Sequence, residues 1–209
     1  VGAVRPPTDT KDFSSYLLQA QGSQADVVAL ANAGGDTINA IKQASEFGLV
    51  QAGQKLAGML LFISDIHSIG LETAQGLLLT TAFYWDLNDE TRAFAARYAE
   101  RNGGRMPTMN QAGAYSATLA YLDAVKRVGS PEDGAAVVAA MRERGPFDDP
   151  LFGRTWLRQD GRVIHDMHLV EVKSPDQSAK LWDYYTVRAT IPADRAFRPM
   201  EQGGCPLVK

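Results

Sequence analysis

The run Ala25-Asp-Val-Val-Ala-Leu-Ala-Asn-Ala-Gly-Gly-Asp-Thr-Ile-Asn-Ala-Ile-Lys-Gln-Ala-Ser-Glu-Phe-Gly48 constrains the fold more than any other part of the chain. Asp26 to Ala31 has the short, apolar, branched character of a buried strand. Asn32 to Gly35 is a turn of small residues, and Asp36 is placed to cap a helix whose apolar face carries Ile38, Ile41, Ala44 and Phe47 before Gly48 ends it. A strand, a tight turn and a helix in immediate succession form the repeating unit of an open, mostly parallel α/β sheet. In such sheets ligands bind beyond the carboxyl ends of the strands, where Asn32 to Asp36 would lie.

The same alternation continues along the chain. A helix is expected over Asp12 to Gln21, a second strand over Leu56 to Ile63 followed by a loop from Ser64 to Gly70, and a further strand over Gly76 to Ala82 that runs into Phe83-Tyr-Trp-Asp86. Asn88 to Asn102 and Asn110 to Val128 then read as two long helices separated by Gly103-Gly104 and Pro107. Ser130-Pro-Glu-Asp133 supplies an N-cap, a first-turn proline and acids for a third helix ending near Gly145. Strand character returns at Leu151, with a hairpin or hinge turn at Gln159-Asp-Gly-Arg162, an alternating strand from Val163 to Lys173, another from Tyr184 to Thr190, and an extended end marked by prolines.

Composition narrows the function classes. With 209 residues, 45% hydrophobic and 22% charged, the chain can bury one large core or two smaller ones. The net charge of −3 and the scattered Lys and Arg leave no basic stripe for nucleic acid. Apolar runs such as Met59 to Ile63 and Leu77 to Leu79 fall far short of the roughly 18 residues that span a bilayer. Val1-Gly-Ala-Val-Arg-Pro-Pro7 shows no export signal, which fits a processed or truncated chain as well as a cytosolic one. The single cysteine, Cys205, has no partner within the chain and leaves the redox compartment open.

Candidate chemistry points to binding. Asp65 and His67 share one segment after a strand, where the carboxylate could receive a ligand ammonium and the imidazole a carboxylate or an aromatic ring; Asp65 could equally cap a helical turn there. Phe83, Tyr84 and Trp85 cannot all point one way on a strand, so at least one should face a crevice or another lobe. Tyr115 reads as helix core. His165 and His168 fall on opposite faces of an alternating strand and so do not converge on a metal, and Cys205 lacks a neighbouring histidine that would make it a nucleophile. The sequence has no nucleophile elbow, phosphate loop, His-Glu-x-x-His or Cys-x-x-Cys, so no catalytic residue, cofactor or metal is expected.

Ala25 to Gly48, Lys55-Leu-Ala-Gly-Met-Leu-Leu-Phe-Ile-Ser-Asp-Ile-His67, Gly70-Leu-Glu-Thr-Ala-Gln-Gly-Leu77, Gln159-Asp-Gly-Arg-Val-Ile-His-Asp-Met-His168, Asp183-Tyr-Tyr185 and Cys205-Pro-Leu-Val-Lys209 together resemble the periplasmic substrate-binding proteins of branched-chain amino-acid ABC transporters. The resemblance implies a type I periplasmic binding protein, with two doubly wound α/β lobes joined by a hinge of three crossing strands. The chain looks like the carboxyl-terminal half of one, with an incomplete fold. Residues 1–84 would form the second lobe, 85–160 part of the first, and 161–209 the return to the second lobe and the tail. The resemblance further implies a periplasmic monomer that binds an amino acid or related carboxylate, aromatic ones included, and passes it to a permease, without enzymatic activity. The export signal would lie outside this chain. Its ligand contacts would fall on Asn32, Ala33, Gly34, Asp36, Asp65, His67, Phe83 and Tyr84, with Asp65 meeting the ligand ammonium. Relatives often carry an aromatic residue where this chain has Asn32-Ala33, which points away from a strictly branched-chain ligand. A ligand-sensing domain of a receptor or transcription regulator shares the same architecture and is the alternative reading.

Overall fold

A computed structural model describes residues 1–204 and Pro206; Cys205, and with it the reading made of that residue, lies outside the described residues. In chain order the elements are α1 (Ser14–Gly22), β1 (Val27–Leu30), α2 (Gly34–Glu46), β2 (Lys55–Gly58), α3 (Ile63–Ile69), α4 (Leu71–Ala74) and β3 (Leu78–Thr81). There follow α5 (Asp89–Arg101), α6 (Met109–Val128), α7 (Gly134–Glu143), β4 (Phe147–Asp149), β5 (Gly153–Leu157), β6 (Val163–Ile164), β7 (Met167–Val172), β8 (Tyr185–Ile191) and α8 (Ala193–Ala196). The chain divides into two compact units: Val1–Thr81 with Leu169–Ala189, and Ala82–His168 with Thr190–Lys209. It passes between them after Thr81, His168 and Ala189.

The first unit is built on a five-stranded sheet of order β1-β2-β3-β7-β8. β1, β2 and β3 are parallel neighbours, with Leu30 opposite Gly58 and Gly58 opposite Leu79. The helix α2 turns Thr37, Ala40, Ile41 and Ala44 into the core. It closes as a glycine cap should: Gly48 takes φ +67°, and the Leu49 N–H reaches back to the Ala44 carbonyl at 3.1 Å. Phe47, expected on the buried face, is the C-cap residue and stays partly exposed. The Gln43 amide ties this helix to the chain before α1, accepting from the Phe13 N–H at 2.7 Å and donating to the Lys11 carbonyl at 2.8 Å.

The second unit carries α5, α6 and α7 and the antiparallel sheet β4-β5-β6. Asn88 caps α5, its Oδ1 accepting from the Thr91 N–H at 2.9 Å, and Thr108 and Gln111 cap α6 reciprocally. The turn at Gln159 to Arg162 is a hairpin, pairing Trp156 with Ile164 and Leu157 with Val163. The Asp160 carboxylate accepts two hydrogen bonds from the Arg158 guanidinium, which hold its pKa down at about 2.

Several local expectations need correction. The strand expected over Leu56 to Ile63 stops at Gly58, and the supposed loop 64–70 is largely α3. A Cβ at Gly58 would stand 2.9 Å from Leu61 Cδ2, so the backbone and Leu61 approach closely just where the strand ends. Asp36 does not cap α2; Ala33 holds that position, and Asp36 sits in the first turn with its carboxylate 3.1 Å from the Asp9 N–H. Asp133, not Ser130, caps α7, because its Oδ1 reaches the Ala136 N–H at 3.0 Å. The strand expected over Val163 to Lys173 is two strands, broken at His165-Asp166. Strand character begins at Phe147, ahead of Leu151, and the tail contains α8 rather than being wholly extended.

Candidate functional site

In the first unit, the chain leaves β1 and β2 on the same edge of the sheet. Leu30 and Gly58 are in register, and the Met59 N–H donates to the Leu30 carbonyl at 3.0 Å. The turn Asn32-Ala33-Gly34 and the segment leading to α3 are therefore neighbours at the carboxyl ends of adjacent parallel strands. Ala33 is extended and offers no side-chain cap, and Gly34 takes φ +57°, a left-handed conformation open to glycine at little cost. The first N–H groups of the 13-residue α2 thus receive no side chain from the N-cap position, and Cβ positions at Gly34 and Gly35 meet nothing within 4 Å. Asn32 is held by its Oδ1, which accepts from the buried Thr37 hydroxyl at 3.1 Å. Such a turn presents backbone donors and one amide to a small polar molecule.

Asp65 and His67 lie on α3. The Asp65 carboxylate accepts from the Phe62 N–H at 2.9 Å and so caps its own helix, the second of the two roles read from the sequence. His67 turns to the chain near β8: its ring stacks on Trp182 at 4.0 Å and 14°, and Nδ1 lies 2.8 Å from the Tyr184 hydroxyl. Burial raises the pKa of Tyr184, which favours its protonated, hydrogen-bonding form. Trp182 itself takes φ +70°. Lys173 and Asp183 close the segment between β7 and β8 with an ion pair of 2.5 Å, and the Lys173 N–H donates to the Tyr184 carbonyl at 2.8 Å. The sequence reading missed Trp182 and Tyr184 as partners of His67; their signal was an aromatic cluster just before a strand.

Among the described residues, cavities that open in this unit include two of similar size. One, of about 400 Å³, is lined by His67 together with Ile66, Leu71, Lys180, Leu181 and Tyr184. The other, of about 430 Å³, lies towards the amino ends of β2 and β3, against Leu56, Leu77, Glu72 and Glu171. Of the residues read as ligand contacts, only His67 lines either one.

Phe83 and Tyr84 follow β3 and belong to the second unit, where Phe83, Tyr84 and Trp85 are all buried. Phe83 meets Phe94 edge-on at 5.8 Å and Phe152 at 6.4 Å, while Tyr84 packs on Trp85 at 6.0 Å. Tyr115, expected in the helix core, leans on Phe94 at 4.8 Å yet keeps 38% of its surface exposed. His165 sits in the break between β6 and β7, with its ring between Phe152 and Phe197, whereas His168 Nδ1 lies 3.1 Å from the Thr190 hydroxyl.

Burial lowers the pKa of His168, against the opposing pull of Asp166 and with a smaller contribution from His165. A folded-state pKa below the unfolded value of about 6.5 means that the unfolded chain binds the proton more readily. The His168 contribution is therefore complete above about pH 6.5 and is lost as pH falls below it. His168→Gln should show a shallower loss of denaturation midpoint between about pH 6.5 and 5 than the parent chain, read by urea titration at each pH; parallel profiles would exclude the effect.

The sequence profile of periplasmic binding proteins matches residues 1–179. The chain belongs to this family. A periplasmic binding protein from Burkholderia mallei is 47% identical with a TM-score of 0.88, over 99% of this chain and 54% of its own. A branched-chain amino acid ABC transporter periplasmic ligand-binding protein from Burkholderia xenovorans LB400 is 46% identical with a TM-score of 0.85, over 95% of this chain and 52% of its own. An amino acid ABC transporter substrate-binding protein from Pseudomonas fluorescens Pf-5 is 25% identical, with a TM-score of 0.82 over 95% and 52% of the two chains. No protein with a curated description matches the chain. This periplasmic binding protein chain spans about half the length of the solved relatives it matches, and it has the α/β fold of their type I class. The named functions among these relatives are solute binding for transport rather than catalysis.

Proposed function

We propose that the chain forms part of the extracytoplasmic solute-binding component of an ABC importer, holding an amino acid or related carboxylate between two lobes and delivering it to the permease. The observation that carries this reading is the family match over residues 1–179, joined to the presence of the open small-residue turn Asn32-Ala33-Gly34 and the acidic helix start at Asp65 on one edge of the parallel sheet. In this reading the first unit is the carboxyl-terminal lobe, and residues 85–160 are part of the other. Closure bends the chain where it passes from one unit to the other, after Thr81, His168 and Ala189. Asn32, Ala33, Gly34 and Asp36 contact the polar end of the ligand, and His67, Phe83 and Tyr84 contribute the imidazole and aromatic walls. Asp65, with one oxygen on the Phe62 N–H, meets the ligand ammonium with its carboxylate charge.

The test uses a chimera in which this chain replaces the matched part of the Burkholderia mallei relative. Amino acids, aromatic acids and short aliphatic carboxylates are screened by thermal shift; a ligand at 100 times its Kd adds about 2.7 kcal/mol of stability. A shift confined to one class identifies the ligand, and no shift with any class rejects the amino-acid and carboxylate reading. Asp65→Asn keeps an oxygen for the Phe62 N–H and removes only the charge. It should weaken amine-bearing ligands by about 10- to 100-fold while leaving simple carboxylates nearly unchanged, as measured by calorimetric titration. Equal loss for both ligand types rejects ammonium pairing at Asp65.

A further inference from the structure

The cavity of about 430 Å³ in the first unit takes no part in solute binding as proposed, because none of the residues assigned to the transported solute lines it. β1, β2 and β3 run parallel, so this cavity opens on the sheet edge opposite the Asn32-Ala33-Gly34 turn. Its floor is Ile41, Leu56, Leu77 and Val172, each no more than 3% exposed. Two hydrogen bonds fix that floor: the Gly76 N–H donates to the Val172 carbonyl at 2.9 Å, and the Val172 N–H donates to the Leu77 carbonyl at 2.9 Å. The volume falls within the roughly 300 to 1,000 Å³ of small-molecule sites, and an apolar floor under a few polar groups is their usual composition.

The charge around the cavity has one sign. Two carboxylates line it, Glu72 at the start of α4 and Glu171 on β7, and among the described residues no Lys, Arg or His does. Ser45 brings the last turn of α2 to the rim, and that turn contains no basic residue, so the negative end of a 13-residue helix adds its field to the two carboxylates. Arg188 meets Glu171 at 2.8 Å from outside the lining, and with its side chain 51% exposed it offsets only part of that charge. An anion is repelled from such a rim, whereas a cation with an apolar body satisfies the rim and the floor together. We propose that this cavity is a second binding site, taking a small primary alkylammonium with a body of roughly six carbons. The hydrocarbon lies on Leu56, Leu77 and Val172, and Glu72, exposed at the rim, receives the ammonium. The site stands independently of the transport reading, so a chimera that binds no amino acid or carboxylate still tests it.

The probe is hexylammonium chloride, titrated into the chimera and followed by amide NMR, with hexanoate and hexanol as the charge-reversed and neutral molecules of the same body. The amide signals of Thr73 and Ser174, which line the cavity, should shift with hexylammonium, and its Kd should lie about tenfold or more below that of either control. Glu72→Gln should weaken hexylammonium about three- to fivefold, the range of a solvent-exposed ion pair. Ser45→Phe places a ring in the cavity and should abolish the shifts, while Asp65→Asn should leave them unchanged. Equal affinity for the three probes would overturn the proposal, as would undiminished shifts at Thr73 and Ser174 in Ser45→Phe. A loss on Asp65→Asn with none on Glu72→Gln would also overturn it, since the amine would then occupy the transported-solute site. The dispersion of the remaining amide signals shows whether Ser45→Phe has folded, and Glu72→Gln, at an exposed position, decides the matter if it has not.

Discussion

Phe94→Ala is expected to lower the unfolding free energy by about 3 to 5 kcal/mol, the range for deleting a large buried aromatic side chain. Phe94 is 6% exposed at the centre of the second unit's aromatic cluster, edge-on to Phe83, with Tyr115 at 4.8 Å and Tyr98 at 6.4 Å. The cost combines the lost transfer of the ring from water with a cavity that Phe83 and α5 cannot close by side-chain movement alone. Phe94→Leu fills most of that volume and should recover more than half of the loss. Urea denaturation followed by circular dichroism separates the two variants, and equal midpoints would show that the ring makes no special contribution. Because Phe83 packs edge-on against Phe94, this variant should also disturb a candidate ligand contact.

The second large effect is expected at Lys173→Met. Its ammonium pairs with Asp183, whose side chain is 11% exposed and also accepts from the Ala179 N–H at 3.0 Å. Removing the ammonium takes a charge partner from a largely buried carboxylate, a loss of about 3 kcal/mol or more, whereas removing both charges costs far less. The double variant Lys173→Met with Asp183→Asn should therefore be more stable than the single one by about 2 kcal/mol, and the cycle read by urea denaturation gives the coupling directly. Additive losses would show that the pair acts only through packing. The pair closes the segment that presents Trp182 and Tyr184 to His67, so the single variant should also release the His67 ring and change the indole emission.

The expectations that succeeded and those that failed divide by how local their causes are. The helix end at Gly48 was legible because a glycine after an apolar period has few other uses, and the Schellman bond to Ala44 follows from it. The helix expected from Asn88 and the hairpin at Gln159 to Arg162 were legible for similar reasons. The apolar run Leu56 to Ile63 misled because an uninterrupted apolar stretch has no period; only the close approach of Gly58 to Leu61 decides where the strand stops and α3 begins. Asp36 looked like a cap because aspartate before a helix usually is one, yet Ala33 and a left-handed Gly34 start the helix three residues sooner than an Asp36 cap allows.

By itself the sequence determined the α/β class, the placing of a small-residue turn after the first strand, and the family, since period, turn chemistry and a distributed resemblance are all carried by neighbouring residues. Only the tertiary structure decided that His67 is held by Trp182 and Tyr184, and that Tyr115 on α6 stays partly exposed. His67 and Tyr184 are 117 positions apart, and nothing in local propensity ranks one distant partner above another. That choice is made when the sheet brings α3 and the β7–β8 segment together, and the burial of the tryptophan ring and the hydroxyl then leaves the imidazole as the partner within reach.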